Sequence, residues 1–101
     1  MDFWYFKFEG RFTRNSSDYG KGLFSGCLVP ENDFDTAKQS FLKSLKESHI
    51  KLIDVIKEFT VDGTLLDPSD QTNKFWIEFY SEAEMNNKPV FDIWHLYETG
   101  T

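Results

Sequence analysis

Few side chains in this sequence could do chemistry, and the first candidates are a glutamate and a histidine near the C-terminus. Glu78 and His95 fall in two aromatic-rich segments, 74–82 and 88–98, whose composition predicts an antiparallel hairpin. In that hairpin Trp76 would face His95, and Glu78 would be the diagonal neighbour of His95. A histidine beside a carboxylate can act as a general acid or base. No nucleophile or phosphate-binding loop accompanies the pair, so the sequence does not predict an enzyme.

The other reactive groups favour structural roles. Cys27 is the only cysteine, which excludes an intrachain disulfide, fits a reducing compartment and predicts a small buried side chain. Asp62, Asp67 and Asp70 cluster in one polar segment. They lack the alternating spacing, the glycine and the distal glutamate of a calcium loop. We therefore expect neither a metal nor a cofactor.

The segment from Asp33 to Val61 predicts an amphipathic helix followed by a long strand. Apolar residues recur at three- and four-residue spacing on one helical stripe: Phe34, Ala37, Phe41, Leu42 and Leu45. Asp33 stands just before the stripe, where its carboxylate can accept from free backbone N–H groups. From about His49 to Val61 most residues are β-branched or aromatic, which favours a strand. Its length exceeds the usual five or six residues, which predicts a bend or bulge.

The N-terminal third predicts a hairpin. Over 2–13 two sets of side chains alternate between opposite faces: Trp4, Phe6, Phe8 and Phe12 on one, and Tyr5, Lys7, Glu9 and Arg11 on the other. Gly10 is a candidate bulge. A polar turn at 15–20 leads to a return strand over 21–29, where Gly22 and Gly26 could allow close packing by the helix.

These elements give the order β-β-α-β-loop-β-β in a single domain, 1–101. One main helix packed on an antiparallel sheet of about five strands is an α+β two-layer sandwich. The alternative is a ferredoxin-like variant with a second, short helix in 62–73.

The composition of the chain limits the kinds of partner that it is expected to bind. Aromatic residues make up 18% of the chain, and the net charge is −6. That charge disfavours a direct nucleic-acid partner, whose affinity would come largely from Lys and Arg. It suits a basic protein partner, or it simply keeps the protein in solution, and the sequence does not choose between the two. The sequence begins without the basic and apolar regions of a signal peptide and has no apolar run long enough to span a membrane. The expected location is the cytoplasm.

The last predicted hairpin leaves one aromatic face that a single helix cannot cover. On this face Trp76, Glu78, Tyr80 and Glu82 would lie opposite Phe91, Ile93, His95 and Tyr97. Aromatic anchors with carboxylates around them suit a cationic protein partner. A second candidate contact is the acidic loop with Asp62, Asp67 and Asp70. The alternatives are a loop folded over this face, or an RNA-binding sheet, which Glu78, Glu82 and Glu84 oppose.

Three strings carry a resemblance to a known group: DFDTAKQSFLKSLKESHIKLIDVIKEF, KFWIEFYSEAE and VFDIWHLYE. With its size, acidity and α+β character, the chain resembles the small cytoplasmic immunity proteins of bacterial contact-dependent growth inhibition systems. The resemblance has no diagnostic motif, so no site residue is carried over. It implies a non-enzymatic protein that binds a cognate toxin domain, often a basic nuclease, and blocks its active or substrate-binding surface. The alternative is a small ferredoxin-like enzyme or ligand-binding domain that forms a homodimer through its sheet.

Overall fold

The computed structural model describes residues 2–14, 16–61 and 69–98, and it confirms the predicted α+β class. Eight elements follow one another in the described chain: β1 (Asp2–Phe12), β2 (Gly22–Glu31), α1 (Phe34–Glu47), β3 (Ile50–Thr60), a 3-10 turn (Gln71–Asn73), α2 (Lys74–Asn86), β4 (Val90–Phe91) and β5 (His95–Tyr97). No helix among the described residues is both long and apolar enough to cross a membrane.

The five strands form one antiparallel sheet in the order β3-β1-β2-β4, with β5 also paired to β2. The β1–β2 hairpin is the centre of this sheet, so side chains of β1 are covered from both sides. The described elements begin with this hairpin and do not follow the β-α-β-β-α-β order of a ferredoxin-like domain.

Helix α1 packs on one face of the sheet as its stripe predicts. Asp33 caps it, because the carboxylate accepts from the Thr36 N–H at 2.9 Å. Ala37, Phe41 and Leu45 are buried against the β1 side chains predicted for this face: Phe6, Phe8 and Phe12. Leu42 is the exception within the predicted stripe: it is 42% exposed.

The predicted interruption of β3 is present twice. The β1 partners jump from Lys57 to Val55, and again from Asp54 to Leu52. The residues skipped at these jumps are Ile56 and Ile53, which bulge out of the pairing and are both about half exposed. The second jump lies opposite the step from Glu9 to Gly10, next to the glycine that the sequence singles out.

The predicted C-terminal hairpin is wrong, because residues 74–86 form α2 instead of a strand. Large aromatic residues at 75–80 favour a strand on local propensity. However, Trp76, Phe79, Tyr80 and Ala83 also recur at helical spacing, and as a helix they pack together against Phe3, Tyr5 and Leu28 on the sheet face opposite α1. Burial of that stripe outweighs the local preference. The predicted cross-strand pair of Trp76 with His95 therefore does not exist.

Two glycines of β2 have a different role from the predicted one. A Cβ on Gly26 would lie 1.9 Å from the Tyr5 hydroxyl oxygen, and one on Gly22 would lie 2.1 Å from the Tyr97 ring. Both positions therefore make room for tyrosine rings on the face opposite α1, and not for the helix.

Candidate functional site

Helix α2 divides the predicted partner-binding residues between two of its faces. The half-buried Trp76 packs edge-on against Tyr5, with ring centroids 4.9 Å apart. The Tyr80 ring lies 4.3 Å from that of Phe3, and a hydrogen bond with Glu84 raises the pKa of the Tyr80 hydroxyl. Both aromatic side chains thus belong to the packing of α2 on the sheet, and they are not the free anchors that the sequence predicts.

Glu78 and Glu82 lie on a neighbouring, exposed face of α2, where they border a groove. The groove runs between α2 and the chain that follows β4, and its volume is about 230 Å3. Four apolar residues and three acidic residues line it: Phe75, Phe79, Phe91, Ile93, Glu78, Glu82 and Asp92. It therefore combines apolar walls with carboxylates from two separate elements.

Asp92 is the acidic residue on the far side of the groove, and backbone contacts hold it in place. Its N–H donates to the Gly26 carbonyl at 2.8 Å, and its carbonyl accepts from Ser25 Oγ at 3.2 Å. Its carboxylate accepts from the N–H of Ile93. The bonds to Gly26 and Ser25 therefore fix the position of Asp92 relative to β2. The negative charge of Asp92 also acts on Tyr5, whose pKa is raised to about 12 mainly by burial and secondly by this charge.

Among the residues that the structure describes, the two glutamates on the α2 side have no such partners. Glu78 and Glu82 stand one helical turn apart, a spacing at which like charges repel each other. Neither forms an ion pair with any residue that the structure describes. A cation in the groove would therefore relieve the repulsion between these two carboxylates.

His95 and Tyr97 lie on β5, which pairs with a different stretch of β2. His95 is exposed and opposite Phe24, and the Tyr97 ring stacks on Phe24 with centroids 5.2 Å apart. The Tyr97 hydroxyl donates to the Glu9 carboxylate, and this bond raises the pKa of Tyr97. Because 74–86 is helical, Glu78 is not a cross-strand neighbour of His95. The proposed acid–base pair depended on that arrangement.

The acidic loop is described only at its end. Asp70 accepts from the Thr72 N–H at 2.9 Å and from its hydroxyl at 2.6 Å, so it caps the turn before α2. It also borders a depression of about 540 Å3 with Lys74 and Glu78. Asp62 and Asp67 lie outside the described residues. Within the described part of the chain, no three His, Cys, Asp or Glu residues are grouped to hold a metal ion.

The sheet face that continues beyond α2 differs from the groove in charge. Three cross-strand pairs of like charge follow one another along β1 and β3: Lys7 with Lys57, Glu9 with Asp54, and Arg11 with Lys51. Neighbouring pairs have charges of opposite sign, so the charges on this surface largely cancel one another. None of the described residues that line the groove is basic.

Sequence reasoning placed Phe91 and Ile93 on one face with Glu78 and Glu82, but it missed the other three residues of the groove: Phe75, Phe79 and Asp92. Phe75, Glu78 and Glu82 share one face only in a helix, so their three- and four-residue spacing was the available signal. Cys27 is fully buried beside Phe6, and burial raises the pKa of its thiol, which fits the structural role that the sequence predicts.

Comparisons of this chain with models of protein families, with curated proteins and with solved structures found no match. The interpretation of the groove therefore depends on its own residues.

Proposed function

We propose that this protein is an immunity protein that binds a cognate toxin domain and neutralises it by covering the active or substrate-binding surface. The observation that carries the proposal is the groove, in which apolar walls meet the carboxylates of Glu78, Glu82 and Asp92. A toxin that cleaves nucleic acid binds phosphates through Lys and Arg. An acidic, partly apolar groove is complementary to such a surface.

The distribution of charge along the chain supports the same partner. Residues 69–98, which include α2 and the far side of the groove, contain six Asp or Glu residues and two Lys residues. This stretch therefore holds −4 of the total net charge of −6. Concentrated charge of one sign steers an oppositely charged protein toward the surface that carries it.

In this proposal the protein inhibits the toxin domain by occupying its active or substrate-binding surface. The bound domain loses access to its substrate, and the immunity protein contributes no catalytic group and contacts neither nucleic acid nor membrane. The place of action is the cytoplasm, where the toxin would meet its target. The size, acidity and α+β fold of the chain agree with the immunity proteins that it resembles.

The test measures inhibition as well as binding. Proteins captured by the chain from its native host would be produced separately and assayed for toxicity, alone and with wild type, Glu82→Lys or Glu47→Lys. Glu47 is an exposed glutamate on α1, away from the groove, so it is the charge-matched control. We expect wild type and Glu47→Lys to inhibit the toxin, and Glu82→Lys to inhibit it much less. A wild type that forms homodimers and inhibits no captured protein would contradict the proposal.

A further inference from the structure

The size of the groove bears on what part of a partner it can hold. Its volume of about 230 Å3 is below the roughly 300–1,000 Å3 of sites that enclose small molecules. It is also open along one side, between α2 and the chain after β4. A space of this size and shape is suited to one long side chain that enters from a partner's surface.

The walls of the groove favour a side chain with a flat, weakly hydrated end. The rings of Phe75 and Phe79 lie 5.4 Å apart, and Phe75 is 45% exposed. Phe91 and Ile93 form the opposite side. Aromatic faces attract cations, and a guanidinium can stack on them in addition because it is planar.

The carboxylates approach the groove from two directions. Glu78 and Glu82 lie on successive turns of α2. Asp92 lies on the other side, where its backbone is hydrogen-bonded to β2. A guanidinium presents five N–H donors in a rigid fork, so it can bond carboxylates on different sides at once. A lysine ammonium is a compact, strongly hydrated charge, and it gains less from aromatic walls.

We propose that the groove is a receptor for a single arginine side chain, and that this arginine is the anchor through which the toxin domain is held. The aliphatic part of the arginine lies along Phe75 and Ile93, and its guanidinium bonds the carboxylates at the rim. This assignment rests on the proposed function for the identity of the partner. The preference for arginine follows from the groove itself and can be tested without the toxin.

The test is an NMR titration of the 15N-labelled full chain with three blocked tripeptides: acetyl-Gly-Arg-Gly-amide, its lysine counterpart, and its citrulline counterpart, which keeps the shape of arginine without the charge. We expect the arginine peptide to shift the amide signals of 75–82 and 91–93, with a Kd on the order of 1 mM. The lysine peptide should bind roughly two- to fivefold more weakly, because its ammonium lacks the planar stacking and the forked hydrogen bonds of the guanidinium. The citrulline peptide should not saturate.

Substitutions in the chain test whether the arginine peptide binds in the groove. Glu78→Gln with Glu82→Gln should abolish saturation by the arginine peptide, whereas Glu47→Gln on α1 should leave it unchanged. Equal affinity for the arginine and lysine peptides, or shifts spread over all acidic surfaces, would overturn the assignment. If groove variants lose toxin inhibition although wild type does not bind the arginine peptide, the proposed function stands and the arginine anchor is wrong. If wild type binds the arginine peptide and inhibits no toxin, the groove chemistry stands and the proposed function is wrong.

Discussion

The rings of Phe6 and Phe41 stack in parallel, with centroids 4.6 Å apart and an interplanar angle of 3°. Phe6 is on the central strand β1, Phe41 is on α1, and both are fully buried. Phe8 packs edge-on against the same Phe41 ring at 5.3 Å. One side chain of α1 therefore contacts two successive inward positions of β1, which makes it the main attachment of this helix to the sheet.

Replacing that side chain should remove much of the stability of the domain. We expect Phe41→Ala to lower the free energy of unfolding by about 3–5 kcal/mol, because it deletes a buried ring and leaves a cavity. Urea denaturation followed by circular dichroism measures this loss. Leu42→Ala, on the same helix but 42% exposed, is the control and should have a much smaller effect. Equal losses in the two variants would show that α1 is not attached through Phe41.

The turn after α1 offers a stabilising change. His49 has a φ of 60°, a left-handed conformation that glycine adopts without steric cost. His49→Gly should therefore raise the free energy of unfolding by up to about 1 kcal/mol, because relief of the left-handed strain, about 1–2 kcal/mol, exceeds the entropic cost of glycine, about 0.5–1 kcal/mol. Asn87 after α2 has a φ of 49°, but asparagine tolerates this region, so Asn87→Gly should gain less. A melting temperature that falls in His49→Gly would mean that the imidazole itself stabilises the end of α1.

Alkaline pH should destabilise the fold through Cys27. Burial raises the pKa of this thiol, so it stays protonated in the folded protein, whereas in the unfolded chain it ionises near its ordinary value of 9.0. Stability from Cys27 is therefore complete below pH 9 and falls as pH rises above it, with a slope that approaches about 1.4 kcal/mol per pH unit. Cys27→Ala should be less stable than wild type at pH 8, but its loss between pH 8 and 10 should be smaller. Parallel pH profiles of the two proteins would contradict this account.

Two aromatic residues of α2 should have opposite phenotypes. Tyr80 packs on Phe3, so Tyr80→Ala should lower the melting temperature, contrary to its predicted role as an exposed anchor. Phe75 lines the groove and is 45% exposed, so Phe75→Ala should weaken partner binding while the melting temperature changes little. Thermal denaturation and titration calorimetry with the purified toxin separate the two effects. The assignment of the two α2 faces fails if Phe75→Ala binds normally and Tyr80→Ala melts as wild type.

The first 61 residues were largely predictable because their signals are local. Alternation in β1, helical spacing in α1 and the cap at Asp33 each depend on residues within a few positions of one another. The segment at 74–86 was not predictable in this way. Its aromatic residues favour a strand locally, and the helix is stabilised by contacts of Trp76 and Phe79 with Tyr5, far away in the sequence.

The residues of the candidate site also differ in whether the sequence could predict them. Glu78 and Glu82 were predicted on a binding surface, and the structure places both at the rim of the groove. Asp92 could not be assigned from sequence, because its position depends on hydrogen bonds to Ser25 and Gly26 of β2. Those bonds exist only once β4 has paired with β2.

The bulges at Ile53 and Ile56 interrupt the strand at the edge of the sheet. Among the described strands, β3 pairs only with β1, so its other edge has no partner strand in this part of the chain. In other proteins such an edge recruits strands from neighbouring chains. Two bulges three residues apart twist this edge and break its regular hydrogen-bond spacing, and Lys51 and Lys57 lie on either side of them. Edge-to-edge aggregation would need an unbroken ladder, which this strand does not offer.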